Sequence, residues 1–201
     1  MGVLINEAFI QLIDDSLRAR IKKSRYRHTR GVLESAIELA ERYGADQQKT
    51  AVAALLHDYA KDYSREELLL LAARYQLDID DLMKHAFQLL HGIVAAAIAK
   101  HEYKIDDPDI LLAIENHTTG RKDMGIIEKI IYLSDFIEPG RHYPGVEELR
   151  SLAGEDLDKA VFKALNNTMI YVLKTGKLLH PKTLEARNQM LLQDATLKNQ
   201  T

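Results

Sequence analysis

The sequence predicts an all-α fold. Apolar residues recur at three- and four-residue spacing almost throughout, and no run alternates in the manner of a half-buried strand. Cap residues and breakers punctuate the periodic stretches. The first helix is expected over about Val3 to Arg20, with Leu4, Ala8, Leu12 and Ile13 on one face. A second runs from about Ser24 to Tyr43 and closes at Gly44, a residue suited to the left-handed C′ position. Asp46 caps a third helix that carries His57-Asp58 near its C-terminal end. Ser64-Arg65-Glu66-Glu67 matches a capping box and opens a fourth, Leu68 to Tyr75. A fifth covers about His85 to His101, a sixth runs from Asp107-Pro108 to His117, and a seventh from Ile126 to Ile137. Pro139-Gly140 and Pro144-Gly145 break the chain, leaving Arg141-His142-Tyr143 in a loop. Two further helices follow, about Glu155 to Lys174 and Pro181 to Leu192, and Lys198 to Thr201 form a frayed tail. No repeat, low-complexity tract or long linker divides the chain.

Composition narrows the function. With 201 residues, 46% hydrophobic and 28% charged, the chain suits one soluble domain. A net charge of -3 gives no global attraction for a nucleic acid polymer or an anionic membrane, so an anionic substrate must be held by a local basic cluster. The absence of cysteine excludes disulfides and thiolate metal sites and fits a reducing cytoplasm. The N-terminus lacks a basic region and soon meets Asp14-Asp15, so no signal peptide is expected. The apolar stretch from Gly92 to Ala99 is too short to span a bilayer.

The chemistry centres on His57-Asp58, which ends the apolar run Ala51-Val52-Ala53-Ala54-Leu55-Leu56 and precedes Lys61 by one turn. An imidazole, a carboxylate and an ammonium side by side are the parts of a metal–phosphate site. The dipeptide alone is weak, since this composition gives roughly half of one such pair by chance. Six potential ligands lie on the inner faces or ends of the helices: His28, His57, Asp58, His91, His117 and Asp135. Taken singly, each also reads as a satisfied core or surface group. Their contexts argue otherwise. His28 is flanked by Arg27 and Arg30, and His117 leads into Thr118-Thr119-Gly120, a helix end with free polar groups. Asp135 lies in a hydrophobic helix and heads a segment that brings Arg141 back over it, supplying the cation a buried carboxylate needs. These N and O donors suit a first-row divalent ion without choosing between iron, manganese and cobalt. Gly-x-Gly phosphate loops are absent, so nucleotide binding must use side chains and helix ends.

The order His, His-Asp, His, His, Asp resembles the HD-domain metallophosphohydrolase superfamily, an α-bundle fold. Arg25-Tyr26-Arg27-His28, Leu55-Leu56-His57-Asp58-Tyr59-Ala60-Lys61, Leu90-His91-Gly92, His117-Thr118-Thr119-Gly120, Ser134-Asp135-Phe136-Ile137-Glu138-Pro139-Gly140-Arg141 and His180-Pro181-Lys182-Thr183 resemble the YqeK-type bacterial symmetrical diadenosine-tetraphosphate hydrolases. The similarity extends from Arg25 to Asn188; Ser134 departs from it, the family usually having alanine there. The GYP signature of cyclic-di-GMP phosphodiesterases is missing.

The resemblance implies one HD domain over 1–201, with its metal core at about 24–142 and the helices of 1–22 and 145–195 packed on it. It implies His28, His57, Asp58 and Asp135 as metal ligands and iron as the metal, with manganese or cobalt as alternatives. His91 and His117 either complete a second metal site bridged by Asp58 or hold substrate phosphates; the mononuclear arrangement is favoured. Coordination lowers the pKa of water to near 7, providing hydroxide that splits diadenosine tetraphosphate into two ADP. Asp58, Lys61, His91 and His117 form the expected catalytic set. Lys61 is the first candidate for a phosphate clamp and Arg141, with its planar fork, the second. Each has a plainer reading: Lys61 as a solvated charge, Arg141 as a partner of Glu138 or Glu147. Thr118, Arg27, Arg18, Tyr171, Lys174 and His180 are further substrate-contact candidates. Another nucleotide phosphohydrolase or pyrophosphohydrolase is the enzymatic alternative, a dinuclear-iron oxygenase a more distant one, and a metal-pinned interaction module the non-catalytic one. A homodimer is favoured, with Phe9 and Leu12 of the first helix as its face; the alternative is that this helix covers the core.

Overall fold

The computed structural model describes residues 3–198, with side chains for residues 3–193, and its elements are all helical. They are α1 (Glu7–Arg20), α2 (Lys23–Tyr43), α3 (Gln47–Leu56), α4 (Arg65–Arg74), α5 (Asp81–His85), α6 (Leu90–His101), α7 (Pro108–Asn116), α8 (Ile126–Ile137), α9 (Val146–Glu155), α10 (Leu157–Lys174) and α11 (Pro181–Lys198). The all-α expectation holds. Of the tail expected over Lys198 to Thr201, Lys198 closes α11 and the rest lies outside the described residues.

Local chemistry sets the boundaries. Asn6 accepts a hydrogen bond from the Phe9 amide and starts α1 at Glu7, four residues later than the apolar pattern suggests. Of the four residues read as its inward face only Ile13 is buried; Leu4 is 76% and Leu12 56% exposed, and Leu17 completes the buried stripe. Ser64 and Glu67 form both halves of the capping box at 3.2 and 2.7 Å. The helix expected over His85 to His101 starts only at Leu90, as α6: Ala86 leaves helical geometry (φ -97°, ψ 54°), a 3-10 turn over Phe87–Leu89 follows, and the short α5, not expected from the sequence, reaches the range only at His85. The stretch after Pro144-Gly145 holds an additional helix, α9, which buries Val146, Leu149 and Ala153.

The packing places α3 at the centre, touching α1, α2, α6, α7 and α8. Every residue from Thr50 to Leu56 is buried, as befits a helix that is apolar all round. Ala51, Ala53 and Ala54 keep it narrow enough for neighbours to close on it from several sides. One contiguous apolar cluster extends from Ile13 on α1 to Ala186 on α11. The end of α3 therefore delivers His57 and Asp58 into the middle of the molecule. No helix among the described residues is long and apolar enough to cross a membrane.

Candidate metal centre

Four histidines from four helices or helix ends form a row: ring centroids are 5.7 Å apart for His28–His57, 5.0 Å for His57–His117 and 4.8 Å for His91–His117. Their Nδ1 atoms all face acceptors. Those of His57, His91 and His117 lie 2.6, 2.5 and 2.7 Å from the carbonyls of Ala54, Gln88 and Ile114, each three residues earlier. That of His28 lies 3.1 Å from Glu138 Oε1. Since a carbonyl or carboxylate oxygen only accepts, Nδ1 carries a proton in each ring, and a neutral ring of that tautomer turns its Nε2 lone pair inward.

Asp58 lies among these lone pairs, 3% exposed. Its Oδ2 is 3.7 Å from His28 Nε2 and 3.8 Å from His57 Nε2, and accepts from Arg25 Nη1 at 2.7 Å. Its Oδ1 is 3.1 Å from His91 Nε2 and 3.4 Å from His117 Nε2, and those two nitrogens approach to 2.9 Å. Acceptors facing acceptors repel unless protons or a cation lie among them. Within each of two trios, His28–His57–Asp58 and Asp58–His91–His117, the donor atoms fall within 4.8 Å of one another. The buried atoms His28 Nε2, His57 Nε2 and Asp58 Oδ1 make no hydrogen bond, so the residues fit a divalent metal. Asp135 joins through His28, with Oδ1 at 3.0 Å from its Nε2.

Two cations besides Arg25 adjoin this centre. Lys61 Nζ donates to His91 Nε2 at 3.1 Å and lies 3.6 Å from Asp58 Oδ1, while Thr118 Oγ1 is 3.1 Å from His117 Nε2. Arg141 folds back on Asp135, with Nε on its carbonyl at 2.7 Å and Nη2 on its carboxylate. Burial lowers the pKa of His57 to about 4, and burial with the Lys61 charge lowers that of His91 to about 4. Burial works against the charge on Asp58, yet His57, His117, His91 and Lys61 outweigh it and hold the carboxyl well below its usual range. Burial likewise opposes ionisation of Asp135, but His28 chiefly reverses the balance and its pKa is lowered. Burial opposes the charge on His28, and Asp135 and Glu138 overcome it, so its pKa is raised.

A pH dependence follows. His57 and His91 have folded values of about 4 against ordinary values of 6.5, so between these limits the unfolded chain binds more protons. Their contribution to stability is whole above pH 6.5 and fades as pH falls through that window, by up to about 3 kcal/mol per histidine. His28 opposes this, stabilising below 6.5 and losing that contribution as pH rises through its raised folded value. His57 and His91 carry the large shifts, so urea denaturation of chelator-treated protein should show lower stability at pH 5 than at pH 7. A flat or inverted profile would contradict the buried neutral imidazoles.

The HD domain family matches residues 25–187 of this sequence. The chain belongs to the HD-domain family. The symmetrical bis(5'-nucleosyl)-tetraphosphatase of Halalkalibacterium halodurans is 44% identical over 88% of this chain and 94% of its own length. The protein of the same name from Bacillus subtilis is 41% identical over 87% and 94%, respectively. A crystal structure from Clostridium acetobutylicum, described as a predicted HD superfamily hydrolase involved in NAD metabolism, superposes with a TM-score of 0.88 at 41% identity, covering 91% of this chain and 97% of that one.

Within this HD domain, His28, His57, Asp58, His91, His117, Asp135, Lys61, Thr118 and Arg141 come together. Arg27 and Arg18 are exposed on α2 and α1. The contacts of the C-terminal candidates lie outside the histidine row. Tyr171 is exposed beneath Lys177, Lys174 is exposed at the end of α10, and His180 is buried 3.3 Å from Asp80. Two participants went unselected in the sequence. Arg25, the cation on Asp58, stands three residues before His28 on the same face of α2, a spacing that signals it. Glu138, which anchors His28, has no such signal because its neighbours come from remote parts of the chain. Gly31 and Gly140 leave room for it: a Cβ would stand 2.5 and 2.9 Å, respectively, from Glu138 Oε2.

Proposed function

We propose that this chain is a metal-dependent phosphoanhydride hydrolase that cleaves diadenosine tetraphosphate symmetrically into two ADP. The observation that carries the reading is buried Asp58, each oxygen facing a pair of imidazole Nε2 atoms beside Lys61. The shared name of the two relatives supports the substrate. His28, His57, Asp58 and Asp135 would hold the ion, iron by preference, with manganese or cobalt as alternatives. Bound there, a divalent ion lowers the pKa of coordinated water from about 16 to about 7.

The other residues place and neutralise the polyphosphate. Addition of water at the second phosphorus breaks its bond to the bridging oxygen, so one ADP departs and the other carries the new oxygen. Lys61 brings a point charge to the equatorial oxygens, where negative charge spreads in the transition state. Arg141 meets the same chain from the Asp135 side, and Thr118 Oγ1 donates from the end of α7. His91 takes up a proton at Nε2 when the anionic substrate arrives, since a nearby negative charge favours imidazolium, and then donates to a phosphate oxygen, while His117 lines the same side of the site. The ammonium of Lys61, 3.1 Å from His91 Nε2, takes up positive-charge capacity that a second ion would need, which supports one ion per chain. A dinuclear centre is the second reading, favoured by the approach of Asp58 Oδ1 to both His91 and His117. A homodimer in the cytoplasm completes the proposal, with exposed Leu12 on α1 at the interface.

Incubation of the anaerobically purified protein with diadenosine tetraphosphate should yield ADP as the sole nucleotide product, with one tightly held ion per chain by elemental analysis. AMP plus ATP, or released orthophosphate, would overturn symmetrical cleavage, and two ions per chain would replace the mononuclear reading with the dinuclear one.

A further inference from the structure

The turn that carries Arg141 is held from behind by Arg150 on α9. Arg150 Nε donates to the Ile137 carbonyl at 2.8 Å, and Nη2 donates to the carbonyls of Glu138 at 2.7 Å and Arg141 at 3.0 Å. Nη1 donates to Glu147 Oε1 at 2.5 Å. One guanidinium thus satisfies three carbonyls where α8 ends and intrahelical partners run out. The same turn carries the Gly140 amide to Glu138 Oε2 at 2.5 Å and the Arg141 amide to the Glu138 carbonyl at 2.9 Å. It is also the turn in which Glu138 fixes His28 and Arg141 grips Asp135. Behind it, Arg150 lines a cavity of about 430 Å³ together with Glu38, Arg42, Ile137 and Pro139.

We propose that Arg150 is a positioning residue: it fixes the Ile137–Arg141 turn and thereby sets where Arg141 meets the polyphosphate. This rests on the hydrolase reading above. Arg150 touches no reacting atom. Its effect travels through backbone carbonyls, and only a planar fork with five donors reaches all three of them together. An ammonium at that position keeps the charge and loses the span.

The test compares wild type, Arg150→Ala and Arg150→Lys by hydrogen–deuterium exchange of residues 138–141 and by steady-state turnover of diadenosine tetraphosphate. Methylguanidinium is the probe for rescue, since the adjoining cavity gives it a route to the vacated position. In both variants the turn amides should exchange roughly tenfold faster and KM should rise about tenfold, the scale of losing charge-assisted hydrogen bonds, with kcat changing less than about threefold. Methylguanidinium should reverse both effects in Arg150→Ala. Unchanged exchange, unchanged KM, or a fall in kcat alone without rescue would overturn the proposal. Should the wild type release no ADP, the hydrolase reading fails on its own account. The exchange arm then decides the role of Arg150: faster exchange with rescue supports it, and unchanged exchange overturns it.

Discussion

Asp58→Asn is expected to lose its metal and to lower turnover of diadenosine tetraphosphate by about a thousandfold or more, the scale at which removing a metal-dependent nucleophile and its electrostatic setting is felt. The substitution preserves shape, so the argument is one of charge. Asp58 supplies one oxygen to the His28–His57 side and one to the His91–His117 side, and among the described residues no other carboxylate belongs to both trios. An amide offers a single weak acceptor, and its NH2 meets either the Arg25 guanidinium or two imidazoles. Arg25 Nη1, 2.7 Å from Oδ2, then loses its anionic partner, at a cost of about 1–3 kcal/mol. The fold should survive this, because the apolar cluster around α3 does not depend on the carboxylate. Metal content, melting temperature and ADP release on the same preparation check the prediction. A folded variant that keeps its ion and a tenth of the parent rate would remove Asp58 from the centre of the account.

Gly92→Ala should be the most damaging single-methyl change. A Cβ there would stand 2.6 Å from the Glu115 carbonyl and 3.3 Å from that of Ile114, both backbone atoms of α7 that no rotamer change can move. The two helices must separate. Overpacking of this kind costs about 1–3 kcal/mol, offset by up to about 1 kcal/mol from alanine's better helix propensity. The effect on the site is larger than the effect on stability. His91 precedes Gly92 on α6, and His117 is anchored by the same Ile114 carbonyl, so the 2.9 Å approach of their Nε2 atoms widens as α6 moves off α7. Displacements of this order in a reacting constellation lower rates by about a hundredfold. Urea midpoints and kcat/KM measure the two consequences. Gly154→Ala in α9 is the matched control: its Cβ meets only Arg42 Cζ, at 4.0 Å, so it should stabilise by about 0.5–1 kcal/mol. Equal behaviour of the two variants would contradict the close crossing of α6 and α7.

Periodicity and caps made most of the helices legible, because both signals are local. Asp46, Ser64 and Asp107 cap in the structure at the places their side chains suggest. Helices α5 and α9 were not legible in this way, yet α9 carried its own signal: Val146, Leu149 and Ala153 recur at helical spacing, but the two Pro-Gly pairs just before it masked the pattern. The break at Ala86 had none, since alanine is a good helix former and the turn there follows from tertiary packing. For the site, a histidine or aspartate amid apolar residues is conspicuous, which is why His57, Asp58 and Asp135 stood out. Arg25 and Arg150 did not. An arginine on an amphipathic helix looks like a solvated charge until the fold shows which carboxylate or carbonyls it reaches. The orientation of Nδ1 toward carbonyls three residues earlier, which turns every Nε2 inward, is likewise a property of the assembled backbone.

A single chelation series tests whether an ion held by this histidine–aspartate row drives symmetrical cleavage. ADP released from diadenosine tetraphosphate is measured before chelation, after chelation, and after separate return of iron, manganese, cobalt and magnesium. Two ADP per substrate, loss of release with the chelator, and recovery with at least one first-row ion are expected. ADP formation that persists in the chelated protein, or no ADP under any of the metals, would contradict ion-driven cleavage.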